Sequence, residues 1–280
     1  MNLTSKKILL IDLEKLTYEV KSYTELQRYV GGVGLGLKLM DMFGEKDPLI
    51  ISIGPLNGFF PYASKTSIVV NDGGVIEDFY IGGTMAARMR FTGIDSIVLN
   101  NTAESETILE ILNSDVSFKR GETSSGSLGL PGRRSILSLD ESKALLDSYF
   151  TTPEYFLENK FAKKNIKTIS LTGTEVVSPL LMEKYQNLYH TLLARKHELS
   201  VNESSQPSCV NCPMGCERSK TGELGGNVLI HSLVACQYAE KIYSDVGIIF
   251  SCLNILGYDY THEDIENLPG LIEETLKKLS

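Results

Sequence analysis

Cysteine is absent from the first 208 residues of this 280-residue chain, and tryptophan is absent throughout. No stretch approaches the roughly 18 consecutive apolar residues of a membrane-spanning helix, so no membrane association is expected. The chain also lacks a block of basic residues, because 27 Lys and Arg stand against 35 Asp and Glu for a net charge of -8. A nucleic-acid binder that works by neutralising phosphates is therefore not expected. The apolar run at residues 8–11 is too short for a secretion signal, which predicts a cytoplasmic location.

The composition is that of a folded globular protein, with 42% hydrophobic and 22% charged residues. Short apolar runs separated by Gly, Pro, Asn and Asp predict strands in the first half of the chain. These strands are expected at residues 7–12, 16–21, 49–53, 67–70, 96–99, 107–112, 116–118 and, later, 168–171. Apolar residues at helical spacing predict helices at residues 24–30, 35–43, 84–91, 138–148 and 153–161.

From about residue 184 the pattern becomes helical, with predicted helices at residues 185–199, 229–243, 246–256 and 262–279. The stretch at 121–132 is rich in Gly and Ser and predicts a loop. A change in composition near 200–207 divides the chain into a mixed domain at 1–200 and a helical, cysteine-bearing segment at 201–280. The predicted fold class is α+β.

The cysteines are the uneven feature of this composition, and they all lie near the C-terminus: Cys209, Cys212, Cys216, Cys236 and Cys252. The first three form a C-x2-C-x3-C run, a spacing at which thiolates can share one iron–sulfur cluster or one zinc ion. The alternative is that they are buried small residues on one helical face, but Pro213 and Gly215 disfavour a continuous helix there. The second CxxC pair of a zinc ribbon is missing, so an iron–sulfur cluster is favoured over zinc.

The fourth ligand of such a cluster is left open by the sequence. Cys236 and Cys252 lie in apolar helical stretches and could each reach the run, and each is also typical of a buried small residue. Cys236 is placed among the candidate metal ligands, with Cys252, a partner protein or an exogenous ligand as the alternatives.

Three glycine-rich segments could bring the backbone close to a ligand. Gly31 to Gly36 fails the G-x-G-x-x-G spacing and follows a predicted helix, so a dinucleotide-binding loop is rejected in favour of a tight turn against neighbouring chain or a ligand. Gly54 to Gly58, and the pair Gly82 and Gly83, could present N–H groups to an anion, and both are also ordinary turn sequences.

Six segments together resemble the aldehyde ferredoxin oxidoreductase family, tungsten or molybdenum enzymes with a pterin cofactor beside a 4Fe–4S cluster. They are GGVGLGLKLM (31–40), GPLNG (54–58), GGTMAARMRFTGIDSIVL (82–99), LTGTE (171–175), CVNCPMGC (209–216) and NILGYD (254–259). The resemblance implies an N-terminal domain of antiparallel β-sheets, followed by a helical part in which Cys209, Cys212 and Cys216 bind the cluster. It also places Gly82, Gly83, Lys65 and Asp259 at the cofactor.

The chain departs from the family pattern mainly at the pterin contacts. Lys65 stands where the family carries an arginine between pterin and cluster, and a lysine lacks the bidentate fork of arginine. Ile81 replaces the asparagine that precedes the paired glycines. Residues 182–198 look like a plain helix in place of the family's arginine- and glycine-rich pterin segment. The family's enzymes are longer, and their C-terminal part supplies the fourth cluster cysteine.

These features favour a short family member that binds one 4Fe–4S cluster and transfers electrons as a subunit or accessory protein under anaerobic conditions. The expected partner is a ferredoxin or a larger oxidoreductase subunit. One alternative is an active aldehyde:ferredoxin oxidoreductase with tungsten- or molybdenum-pterin, and the other is a structural module without cofactor. The sequence assigns no catalytic residue.

Overall fold

A computed structural model of the chain describes residues 3–121 and 123–279, which include two β-sheets. The larger sheet contains, in spatial order, β12 (Glu223–Leu224), β5 (Val75–Ile81), β4 (Thr66–Asp72), β3 (Leu49–Ser52), β6 (Ser96–Asn100), β1 (Lys6–Asp12) and β2 (Thr17–Tyr23). The smaller sheet contains β10 (Lys143–Leu146), β9 (Arg134–Asp140), β11 (Ile166–Thr172), β7 (Thr107–Leu112) and β8 (Asp115–Lys119). Each sheet is antiparallel except for one parallel pair, β1 with β6 and β7 with β11. The sheets are thus mainly antiparallel, as the resemblance implied, with one parallel pair in each.

The helices lie mainly in the second half of the chain. They are α1 (Gly32–Phe43), α2 (Met85–Arg90), α3 (Phe156–Lys164), α4 (Met182–Ala194), α5 (Arg218–Thr221), α6 (Val228–Leu233), α7 (Glu240–Tyr243), α8 (Val246–Leu256), α9 (His262–Glu266) and α10 (Leu268–Leu279). None of the helices in the described residues is long and apolar enough to cross a membrane.

The larger sheet lies between two hydrophobic cores, which explains why its strands are apolar on both faces. In β1, Ile8 and Leu10 point into the core shared with the helices. Leu9 and Ile11 point into the core shared with the smaller sheet. Successive side chains of a strand point to opposite faces, so a strand buried on both sides needs an unbroken apolar run. The α+β fold class is confirmed.

Several regions differ from the predicted elements, and the predicted helix at 24–30 is only a 3-10 turn at Gln27–Tyr29. The predicted helix at 138–148 is wrong, because β9 and β10 form a hairpin there with Lys143 opposite Asp140. Its turn includes Glu141 at φ 49, a left-handed conformation that ends the strand. Strand β5 was not predicted from the spacing of Gly, Pro, Asn and Asp, and it pairs with β4. The loop predicted at 121–132 contains one 3-10 turn at Ser125–Ser127, and Glu122 lies outside the described residues.

The segment after residue 200 joins both parts of the fold. Its two-residue strand β12 pairs with β5 at the edge of the larger sheet, so this segment is not purely helical. Helices α6 and α10 pack against α1. The predicted helix at 229–243 is broken, because Ala235 has φ 54 and Cys236 is extended. The boundary near residue 200 stays a prediction.

Candidate functional site

Residues 209–216 form a loop, in agreement with the helix-breaking residues within it. The N–H of Cys212 donates to the carbonyl oxygen of Cys209 at 3.1 Å, which makes a tight turn. Gly215 has φ +47, and its N–H donates to Oγ of Ser208 at 3.1 Å. A Cβ on Gly215 would lie 2.5 Å from the carbonyl oxygen of Gln206. Glycine is therefore required where the chain turns toward Cys216.

The paired glycines hold this loop against the end of β5. The carbonyl of Gly83 accepts a hydrogen bond from the N–H of Val210 at 3.0 Å. A Cβ on Gly82 would lie only 2.7 Å from Sγ of Cys209. On the other side of the loop, the N–H of Tyr62 donates to the carbonyl of Asn211 at 3.0 Å. Gly82 and Gly83, predicted to contact a cofactor, lie directly beside the first cysteine.

Cys236 belongs to the same group of thiols as the C-x2-C-x3-C run. Burial raises the pKa of Cys209, of Cys212 (to about 12) and of Cys236, and the ammonium group of Lys65 opposes the rise at each of them. The thiols of Cys209 and Cys212 also act on Cys236. Near Cys252, in α8, burial alone raises the thiol pKa. Of the two candidates for a fourth ligand, Cys236 is thus the one whose thiol interacts electrostatically with Cys209, Cys212 and Lys65.

A buried ion pair stands next to these cysteines. Nζ of Lys65 contacts Oε1 of Glu223, and both side chains are at most 2% exposed. Burial acts to lower the pKa of Lys65, but Cys236 and Glu223 raise it above its ordinary value. The second carboxylate oxygen of Glu223 accepts a hydrogen bond at 2.9 Å from the N–H of Gln237, the residue after Cys236. Lys65 therefore remains a cation at the cysteine group.

Glu223 and His231 belong to this site and were missed by sequence reasoning, since neither is part of a recognisable motif. The ring of His231 stacks on Tyr80 with centroids 3.6 Å apart, and its Nε2 is 3.8 Å from Oε2 of Glu223. Burial, reinforced by Lys65, lowers the pKa of His231 to about 3. The imidazole is therefore neutral at pH 7.

The donor set fits an iron–sulfur cluster by its chemistry. Iron–sulfur clusters are held by cysteine thiolates, and mutual electrostatic effects link the thiols of Cys209 and Cys212 with those of Cys216 and Cys236. Within residues 3–121 and 123–279, no three His, Cys, Asp or Glu side chains converge closely enough to enclose a single metal ion. The fit to a cluster therefore rests on the donor atoms and not on a preformed metal site.

The glycines that could have approached a pterin are in contact with the chain's own backbone. A Cβ on Gly32 would lie 2.1 Å from the carbonyl oxygen of His231, and one on Gly54 would lie 2.2 Å from that of Leu233. Gly32 and Gly54 thus pack on α6, and the chain's own backbone fills the space next to these two glycines.

Asp259, also predicted at the cofactor, lies in the loop after α8 with its side chain exposed. Its neighbours Tyr258 and Tyr260 face Nζ of Lys6 at 5.6 and 5.7 Å from their ring centroids. The structure therefore brings Lys65, Gly82 and Gly83 to the cysteines and places Asp259 beside β1.

Comparisons with known proteins agree with this architecture. Residues 8–133 match the aldehyde ferredoxin oxidoreductase N-terminal domain. Over 129 residues the chain is 30% identical to the "Aliphatic sulfonate oxidoreductase, WOR-like subunit" of Pyrococcus furiosus, a match that covers 40% of this chain and 20% of that protein. The fold is similar to a chain of the "Active site complex BamBC of Benzoyl Coenzyme A reductase in complex with 1,5 Dienoyl-CoA", with a TM-score of 0.59 and 14% identity.

That structural match covers 97% of this chain and 55% of the other, so the chain spans only part of the length of both relatives. Both relatives are parts of larger assemblies, since one is a subunit and the other belongs to a complex. The sequence matches therefore place the N-terminal domain of the aldehyde ferredoxin oxidoreductase family, a family of tungsten- and molybdenum-pterin oxidoreductases, at residues 8–133. The fold match extends the structural similarity over nearly the whole chain.

Proposed function

We propose that this chain binds one 4Fe–4S cluster and transfers electrons as a subunit or accessory protein of a larger oxidoreductase. The observation that carries the proposal is the Lys65–Glu223 pair beside the cysteines, in which Glu223 also accepts a hydrogen bond from Gln237, the residue after Cys236. Lys65 acts on the thiols of Cys209, Cys212 and Cys236, whereas burial alone acts on Cys252. The four ligands would be Cys209, Cys212, Cys216 and Cys236. The cluster would supply one-electron chemistry.

The cysteine thiols would lose their protons when they bind the iron atoms of the cluster. Burial disfavours the thiolate form of Cys209 and Cys236, so without metal these groups carry protons at pH 7. Cluster assembly would release those protons, which makes it less favourable at low pH. Cys212 is the partly exposed member of the set, so electrons would enter or leave on its side.

Active aldehyde oxidation by a bound pterin is less well supported. Gly32, Gly34 and Gly54 pack on residues 231–233 of the chain's own segment after β12. Lys65, which stands where the family carries an arginine, forms an ion pair with Glu223. No mechanistic step is therefore assigned to a pterin or its metal.

The proposal is tested by the iron and sulfide content of anaerobically purified or reconstituted chain. We expect about four iron per chain and a broad absorption near about 400 nm, as thiolate-ligated clusters show. Cys212→Ser should lower both, whereas the matched control Cys252→Ser should retain both. Stoichiometric zinc without iron would overturn the proposal, and so would equal iron content in the two variants. Tungsten or molybdenum with pterin fluorescence after denaturation would favour the active enzyme instead.

A further inference from the structure

The Lys65–Glu223 pair places two opposite charges at the cysteine group. Both side chains are almost completely buried, and the Lys65 ammonium also lies 5.2 Å from the ring centroid of Tyr238. Lys65 and Glu223 act in opposite directions on the thiols of Cys209 and Cys236. Because water is excluded from this site, the electrostatic interaction between charges there is stronger than at the surface.

Glu223 is held in place by the backbone around it. Strand β12 pairs Glu223 with Tyr80 of β5. The preceding residue, Gly222, has φ +66, and a Cβ there would lie 2.2 Å from the carbonyl oxygen of Tyr80. The chain can therefore approach β5 closely enough to bury the carboxylate. Its two oxygens are then occupied by Lys65 and by the N–H of Gln237.

The aromatic neighbours of this pair do not replace either charge. His231 is neutral because burial lowers its pKa to about 3. The pKa of Tyr80 is raised well above its ordinary value by burial, so its hydroxyl stays protonated. It donates to Oδ2 of Asp78 at 2.6 Å and not to Glu223. The positive charge of Lys65 is thus balanced by the carboxylate of Glu223.

We propose that Glu223 is a positioning residue for electron transfer, which keeps the reduction potential of the cluster low by cancelling the charge of Lys65 beside it. This inference rests on the proposed function. Reduction would add one electron, and so one negative charge, to the cluster without changing either member of the Lys65–Glu223 pair. A lysine without its carboxylate would stabilise the reduced, more negative cluster, and a carboxylate without its lysine would destabilise it.

The test is a dithionite titration of the full reconstituted chain in the presence of redox mediators, followed by absorption and electron paramagnetic resonance. We expect the midpoint potential to move upward in Glu223→Gln and downward in Lys65→Met. Glu223→Asp, which keeps the charge, should remain close to the unmodified chain. The control is Lys160→Met, which removes a buried lysine of α3 paired with Asp47, outside the cysteine group. Its potential should not move.

Iron and sulfide content separates the possible failures. A chain without a cluster overturns the proposed function and this inference together. If the cluster is loaded and Glu223→Gln has the potential of the unmodified chain, the inference alone is overturned. The inference alone is also overturned if Glu223→Asp shifts the midpoint potential as far as Glu223→Gln does, because a structural role of Glu223 would then explain both shifts. The Gln and Asp comparison decides the question even if Lys65→Met does not fold.

Discussion

Replacing Lys6 by Met should remove most of a pH dependence in the free energy of unfolding between pH 8 and 10.5. Lys6 is 2% exposed in β1, with its ammonium group over the rings of Tyr258 and Tyr260. Burial lowers its pKa from 10.5 to about 8, although Asp95 opposes the shift. The folded chain therefore holds this proton less tightly than the unfolded chain.

The magnitude follows from linkage between protonation and folding. Since the unfolded state binds more protons between pH 8 and 10.5, stability from this group rises with pH through that window. A shift from 10.5 to about 8 corresponds to about 3 kcal/mol at 1.36 kcal/mol per pKa unit. Below pH 8 the charged lysine therefore costs the fold up to this amount, and above pH 10.5 the cost disappears.

The assay is urea unfolding of the iron-free chain and of Lys6→Met at several pH values from 7 to 10.5. The variant should gain stability relative to the unmodified chain at pH 7, and this difference should fall by about 3 kcal/mol toward pH 10.5. Taking the difference cancels the tyrosines, which titrate in both proteins. A difference that stays constant over this pH range would refute the reasoning, because a lost packing contact does not depend on pH.

Three further predictions concern stability measured by urea unfolding of the iron-free chain. Gly54→Ala should lower the free energy of unfolding by about 1–3 kcal/mol, because its Cβ would overlap a backbone carbonyl. The control Gly44→Ala has no atom within 4 Å of its Cβ and should be neutral or stabilise the fold by up to about 1 kcal/mol. Equal losses in the two variants would contradict the contact assigned to Gly54. Lys65→Met and Glu223→Gln should each lower the free energy of unfolding by about 3–5 kcal/mol, since each breaks a buried ion pair. The double variant should lose less than the sum of the two single losses. Additive losses would exclude an energetic coupling between Lys65 and Glu223. Asp245→Ala should lose about 1 kcal/mol, because the carboxylate caps α8 by accepting from the N–H of Ile248 at 3.2 Å; an unchanged midpoint would show that the cap contributes nothing.

Local patterns in the sequence were sufficient for most strands and for the cysteine loop. The run at residues 8–11 is apolar at every position, and the structure pairs it with strands on both sides. Pro213 and Gly215 excluded a helix through the cysteines because their backbone requirements are local. The hairpin at 134–146 was mistaken for a helix, since a short apolar pattern fits both periods.

The sequence by itself determined that three cysteines share a loop, that the first half forms strands and that the chain resembles this oxidoreductase family. Only the tertiary structure decided that Cys236 is extended after α6 ends while Cys252 stays in α8, because that depends on how α6 ends. It also decided that Gly32 and Gly54 face the backbone of α6, and that Glu223 pairs with Lys65, 158 positions away. Spacing along the chain constrains neighbours within a turn or a strand, whereas contacts between distant segments arise only when the sheets and helices pack.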